Sequence, residues 1–237
     1  MLVFGQSARK KQLARKPVTL YGHAVDEVLF YDHVGIRLNV YQNTTERTTN
    51  VAAKMRGGLM SILSSRLNLS ELSCITTIKL YKTIVLPRSL YGAELWHKMN
   101  KEDLSRLETA HRFCLKKIQD FPKRAKSALV ECSAKCYQIA TYIDQKKLLF
   151  IGRLCRLSCK KLAKRVFVER LFQHQANYNV KNSGIVFNLL DVLSTYNLRQ
   201  YIELFLSDAI FPDKNAWKSL VRQAIETREH IGRDTSF

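Results

Sequence analysis

The sequence predicts a mainly α fold in which a small N-terminal β-hairpin precedes a multi-helix bundle and a helical extension. Three observations carry this. β-Branched and aromatic runs broken by glycine are confined to the first 40 residues. From residue 43 to about Arg228, apolar residues recur at helical spacing. Between two such helical runs, the stretch IVLPRSLYGAELWH (84–97) crowds Pro87, Tyr91, Gly92, Leu95 and Trp96 into one corner. A chain of 237 residues with 46% hydrophobic and 10% aromatic content can bury a core and allows one or two domains.

In chain order, Leu2 to Phe4 reads as a short strand entered with no turn before it, as if Met1 began inside something longer. A basic loop, SARKKQLARKP, follows. VTLYG and VDEVLFYDHVGIRLNV then supply short strands, punctuated by Gly22 and by the run Asp32 to Gly35, for two or three strands in all. Residues 43–66 carry Val51, Met55, Leu59, Ile62 and Leu63 on a helical face. Gly57 and Gly58 weaken that helix by about 1 kcal/mol each, which predicts a break or a close helix contact. Ser70, with Glu71 and Ser73 behind it, starts the next helix through Leu72, Ile75, Ile78, Leu80 and Tyr81, with Lys79 and Lys82 near its exposed side.

Pro87 has no N–H to donate and disfavours the α region for Leu86, so this helix should kink or stop there. Leu86, Leu90, Tyr91, Leu95 and Trp96 read as core anchors at the junction. Asn100 then suits an N-cap, and Glu102 and Asp103 suit the positive end of a helix carrying Leu104, Leu107, His111, Cys114, Leu115 and Ile118 up to Pro122. His111 falls on the apolar side and reads as a satisfied core or boundary histidine, not a catalytic base.

Ser127 to Cys132 is a short helix and Tyr137 to Leu157 a longer one. Ile139, Ile143, Phe150, Leu154 and Leu157 share a face of the latter; Tyr142, Lys146, Arg153 and Lys160 form an adjacent stripe, with Arg156 near it and Leu149 interrupting it. Cations spaced around an aromatic can track phosphates; the alternative is an ordinary solvated face. Helical pattern continues from Lys161 to Phe172, loosens in QHQANYNVKNSG, and resumes around Ile185–Leu193, Leu198–Leu206 and Asp213–Arg228. Trp217, Leu220, Val221, Ala224 and Ile225 give the last helix its buried face.

Lys and Arg total 39 against 20 Asp and Glu, a formal charge of +19, so a polyanion is the expected partner. No run approaches the ~20 apolar residues that cross a bilayer, so no spanning segment is expected; nucleic acid, not a membrane, is the expected partner, with a membrane surface as the alternative polyanion. MLVFGQSARKKQ has the wrong order and length for a secretory signal, which predicts a cytoplasmic or nuclear protein with six reduced cysteines. Cys132 and Cys136, like Cys155 and Cys159, are four apart. Two such pairs admit a zinc or disulfide staple, but buried free thiols are the default because mid-helix pairs are not zinc knuckles. No catalytic set is present: there is no Asp-Asp pair, Walker loop, G-x-S-x-G or H-E-x-x-H, and Asp26, Glu27 and Asp32 lie in the hairpin region.

The string LYKTIVLPRSLYGAELW (80–96) resembles a segment of LINE-type (non-LTR) retrotransposon reverse transcriptases that follows their palm. The turn His33-Val34-Gly35-Ile36 resembles their primer grip, and the order and separation of the two stretches match that family. The resemblance covers about residues 1 to 160. It implies the end of a palm with a primer-grip hairpin (1–40), a thumb-like helical domain (41–122) and a helical C-terminal extension (123–237). It further implies contacts to nucleic acid, either RNA or an RNA–DNA duplex, from Tyr31, His33, Gly35, Lys54, Arg56, Arg66, Lys79, Lys82 and Arg88. The stripe Tyr142, Lys146, Arg153 and Lys160 would extend these contacts, and Pro87, Tyr91, Gly92, Glu94 and Trp96 form the shared structural motif. The parent activity would be RNA-templated DNA synthesis with Mg²⁺, which only the full-length polymerase needs. Without catalytic aspartates this chain should hold no cofactor and should not polymerise alone, and the missing palm and fingers would be a further partner. Two other readings stay open: a co-opted basic helical protein that contacts RNA or protein, and a metal- or disulfide-stapled hairpin.

Overall fold

The computed structural model describes residues 19–24, 28, 30–39, 44–64, 73–96, 99–176 and 184–234. The expected strand at Leu2–Phe4, the helix start at Ser70 to Leu72, and Arg66 lie outside the described residues.

Two antiparallel hairpins open the fold. Strand β1 (Thr19–Leu20) pairs with β2 (His23–Ala24), and β3 (Phe30–His33) pairs with β4 (Ile36–Asn39) in the register His33 to Ile36. Both turn pairs, Tyr21-Gly22 and Val34-Gly35, have positive φ, as two-residue turns matched to strand twist require. The glycines adopt it freely; Val34, at φ 50°, does so against its β-branch.

The described residues from Thr44 on are mainly helical, as the periodicity predicts. Helix α1 (Thr44–Ser64) runs unbroken through Gly57 and Gly58. The second of the two expected outcomes holds at Gly58, where an added Cβ would lie 3.2 Å from Val85 Cγ1, so the glycine permits a close helix contact. Helix α2 (Cys74–Leu80) starts at Ser73, whose hydroxyl accepts the Thr76 N–H.

At Pro87 the helix neither stops nor leaves the α region, contrary to expectation. Leu86 keeps helical dihedrals (φ −60°, ψ −52°), and the chain passes from α2 through a π turn (Tyr81–Val85) into α3 (Leu86–Ser89). The Leu86 N–H reaches back five residues to the Tyr81 carbonyl. Widening the ladder one turn ahead of the ring accommodates a proline that an ordinary α-helix interior would not. The helix ends at Leu90; Gly92, at φ 74°, turns the chain into a short 3₁₀ turn (Ala93–Leu95). Leu86, Leu90 and Trp96 are buried as anchors, but Tyr91 and Leu95 are 54% and 41% exposed. The turn at Gly92 faces them outward, so they are not core residues.

Helix α4 (Lys101–Ile118) is capped by Asn100, whose side-chain oxygen accepts the Asp103 N–H at 2.6 Å. Helices α5 (Ser127–Ser133), α6 (Ile139–Arg156), α7 (Leu162–Ala176), α8 (Ile185–Thr195), α9 (Gln200–Asp208) and α10 (Lys214–Asp234) complete the chain. No helix among the described residues is long and apolar enough to cross a membrane.

Two hydrophobic cores result among the described residues. The first gathers Met55, Leu59, Tyr81, Leu90, Trp96, Leu107 and Leu115, and it extends past Pro122 to Val130, Ile139 and Ile143. The second gathers Leu148, Ile151, Leu171, Leu189, Trp217, Val221 and Ile225. Helix α6 belongs to both, its first turns in one core and its remainder in the other, and so acts as the spine of the molecule.

His111 sits fully buried in the first core, as a core histidine. One ring nitrogen, Nδ1, lies 2.8 Å from the Tyr81 hydroxyl and the other, Nε2, 3.1 Å from the Tyr137 carbonyl, and the ring stacks on Tyr81. With Nε2–H donating to the carbonyl, Nδ1 accepts from the Tyr81 hydroxyl and the ring is neutral. Burial, with Arg112 and Lys82 nearby, lowers its pKa from 6.5 to about 4 despite the bond to Tyr137. The unfolded chain therefore binds more protons between those values, and stability falls as the pH drops through that window. From about pH 7.5 to about pH 5 the expected loss is about 2 kcal/mol. Burial raises the Glu108 and Asp144 carboxyls, which act with the opposite sign near the lower end of the window. The check is denaturant unfolding at both pH values. His111→Phe should be less stable at the higher pH yet lack most of the pH-dependent loss; an unchanged slope in that variant would place the effect elsewhere.

Candidate nucleic-acid interface

The β3–β4 hairpin and the corner after α3 stand against each other. An added Cβ at Gly92 would come within 2.9 Å of Ile36 Cδ1, and one at Gly35 would lie 3.8 Å from Tyr91 Cε1. Gly92 thus serves twice: its positive φ makes the turn, and its missing side chain leaves room for Ile36 of the hairpin. Between hairpin, corner and α1 lies a cleft of about 790 Å³. The hairpin supplies Asp32, Gly35 and Ile36 to it; α1 supplies Glu46, Arg47, Asn50 and Lys54; the corner supplies Arg88, Tyr91 and Trp96.

Of the sequence-predicted residues, Gly35, Lys54, Arg88, Tyr91 and Trp96 are brought together here. Trp96 is a buried wall, while Lys54, Arg88 and Tyr91 are exposed. Arg47 is not among the sequence-predicted residues, although Arg47 and Lys54 are seven apart and so share one helix face, with Asn50 between them. Burial lowers the pKa of the Arg47 guanidinium. Asp32 and Glu46 place two carboxylates among the three cations, so the cleft is cationic by one formal charge and bipolar in character.

Other candidates lie apart from it. Tyr31 and His33 are exposed and stack on each other at 6.2 Å between ring centres, outside the cleft lining. Arg56 stands over the Phe113 ring at 5.6 Å, and Lys79 is exposed in the last turn of α2. Lys82 is not on an exposed side. It is half-buried, and its ammonium donates to the carbonyls of Ala134 (3.2 Å) and Lys135 (2.6 Å) just past the end of α5, where it satisfies carbonyls left free by the helix end. Pro87 is exposed, and Glu94 is half-buried with one carboxylate oxygen, Oε2, left without a hydrogen-bond partner.

The expected stripe on α6 does not form. Tyr142 is half-buried between His111 and Tyr137 in the first core, where burial raises its hydroxyl pKa. Lys146 is also half-buried, and Lys160 lies beyond the helix, which ends when Leu157 turns extended (ψ 150°). Only Arg153 remains as an exposed cation of that set on the helix itself. A helical wheel with one buried face does not describe α6. A helix shared by two cores buries Thr141, Lys147 and Gly152 as well.

The cysteines also part company. Helix α5 stops before Cys136, which is buried in the first core while Cys132 is exposed; Cys155 is buried in the second core while Cys159 is exposed in the turn beyond α6. The four thiols therefore do not converge, and no group of three or more metal-ligating side chains occurs among the described residues. Comparison with protein-family models, curated proteins and solved structures gives no match for the chain.

Proposed function

We propose that this chain binds nucleic acid through its backbone, without catalysing a reaction on it, in the manner of the primer-grip and thumb part of a LINE-type RNA-directed DNA polymerase. The observation that carries the reading is convergence. The two stretches that resemble that family, His33 to Ile36 and Leu80 to Trp96, meet at Gly92 and Ile36, and together with α1 they form a cleft that holds Lys54 and Arg88. A chain of formal charge +19 supplies the long-range attraction. The natural ligand in this reading is an RNA–DNA duplex, and the palm and fingers are the partner that would supply chemistry.

The test is fluorescence anisotropy of the purified chain with a labelled RNA–DNA primer-template and with single-stranded RNA, from about 50 to about 200 mM salt. Binding should favour the duplex and weaken steeply with salt. The double charge reversal Lys54→Glu/Arg88→Glu should lower affinity at least about tenfold and flatten the log–log salt slope by about 1, for the phosphate that the two cations no longer neutralise. Duplex binding that ignores salt, or that survives the double reversal, would defeat the proposal. Preference for single-stranded RNA would favour a co-opted RNA-binding role.

A further inference from the structure

We infer that the cleft receives one unpaired nucleotide, its base stacked on Tyr91 and its phosphate held by Arg88 and Lys54, while any duplex runs outside it. The inference rests on the nucleic-acid reading above and adds which part of the ligand enters the molecule. Size is the first ground. A concavity of about 790 Å³ matches sites of about 300–1,000 Å³ that enclose one small ligand, and a double helix cannot enter it.

Charge is the second ground. A groove that only tracks phosphates gains from cations alone, whereas this lining sets Asp32 and Glu46 against Arg47, Lys54 and Arg88. A lining that is cationic by only one formal charge suits one phosphate better than a run of them.

The third ground is Tyr91 itself. It is the aromatic side chain of the lining that solvent reaches, 54% exposed, where Trp96 is 4% exposed and forms a wall. The backbone holds it there. Gly92 turns the chain immediately after it, and Gly35 presents bare backbone to one edge of its ring. A large apolar ring kept in water at the rim of a concave cationic site offers its face to another flat π system, and every base has one.

The experiment compares a blunt RNA–DNA duplex with the same duplex carrying three unpaired nucleotides, the middle one 2-aminopurine, on the wild-type chain and on Tyr91→Leu, Tyr91→Trp and Arg88→Glu. The overhang should tighten binding about 5- to 150-fold, the range that loss of one stacked base produces. Binding should quench the 2-aminopurine. Tyr91→Leu should bring the overhang-to-blunt ratio near one and remove the quenching; Tyr91→Trp should keep both. Arg88→Glu should weaken the overhang probe more than the blunt one. Because Tyr91 is exposed, its variants should keep the wild-type unfolding midpoint, which is measured alongside. Equal affinity for the two probes, or an overhang advantage that Tyr91→Leu leaves intact, overturns the stacking site while salt-dependent duplex binding still supports the broader reading. Failure of both probes to bind overturns both.

Discussion

Gly152→Ala should destabilise the protein by about 3 kcal/mol, although alanine is the better helix former by about 1 kcal/mol. Gly152 lies in the second half of α6, against Trp217 of α10. An added Cβ would fall 2.2 Å from Trp217 Cδ1 and 2.4 Å from its Nε1. The indole cannot step aside cheaply. It is fully buried, its N–H donates to the Leu148 carbonyl at 2.9 Å, and its ring packs against Phe211 at 4.8 Å between centres and edge-on to Tyr201. Moving it by an ångström or more breaks that hydrogen bond and opens voids along the second core.

The double-mutant cycle makes this specific. Trp217→Leu alone should cost several kcal/mol, as loss of a buried tryptophan does, but adding Gly152→Ala to it should be neutral or stabilising by up to about 1 kcal/mol. Guanidinium unfolding of the four proteins decides the matter. A neutral Gly152→Ala in the wild-type background would mean that the two helices can part without loss, and α10 would then dock by some means other than this glycine–indole contact.

That pair also marks where sequence reading stops. Periodicity places Trp217 on a buried face and sets the limits of most helices to within a few residues, because spacing of three and four and caps such as Asn100 are local facts. Gly152 carries no local sign of its partner 65 residues away. At Gly58 the spacing predicts a close contact but not its partner, Val85, and at Gly92 the neighbour, Ile36, is one that only the fold brings near.

The site divides in the same way. Gly35, Lys54 and Arg88, expected from short stretches, meet in the cleft, since residues on one hairpin turn, one helix face and one corner move as units; Tyr91, read as a core anchor, joins them because it is exposed. Tyr142, Lys146 and Lys82 fail as exposed candidates for a different reason. Lys82 reaches carbonyls beyond α5 and Tyr142 packs between the His111 and Tyr137 rings, and a helical wheel carries no information on which faces a second or third helix will cover.

Asp103→Ala should cost about 3 kcal/mol and loosen the wall of the cleft as well as the first core. Asp103 is fully buried in the first turn of α4. Its carboxylate accepts the Thr44 hydroxyl, the Thr48 hydroxyl at 3.0 Å and the Arg106 guanidinium at 2.7 Å, so it ties the start of α1 to the start of α4. Burial alone would raise its pKa, but the hydrogen bonds from Thr44, Thr48 and Arg106 win and hold it below the ordinary value. The stabilisation is therefore present above the ordinary carboxylate pKa and is lost as the pH falls below it.

Alanine leaves two threonine hydroxyls and a guanidinium without their shared acceptor. Arg106 is about one-third exposed and can turn to water, which keeps the loss at the lower end of that for broken buried pairs. Asp103→Asn retains the shape and one acceptor oxygen, and should cost about half as much. Because Glu46 and Arg47 follow Thr44 closely in α1, fraying of that turn displaces one side of the cleft. Amide exchange over residues 44–50 should therefore accelerate in Asp103→Ala beyond the change in global stability, while residues 214–230 of α10 should track global unfolding alone. Uniform acceleration throughout would show that Asp103 contributes bulk stability with no particular hold on α1, and the link between this carboxylate and the cleft would be withdrawn.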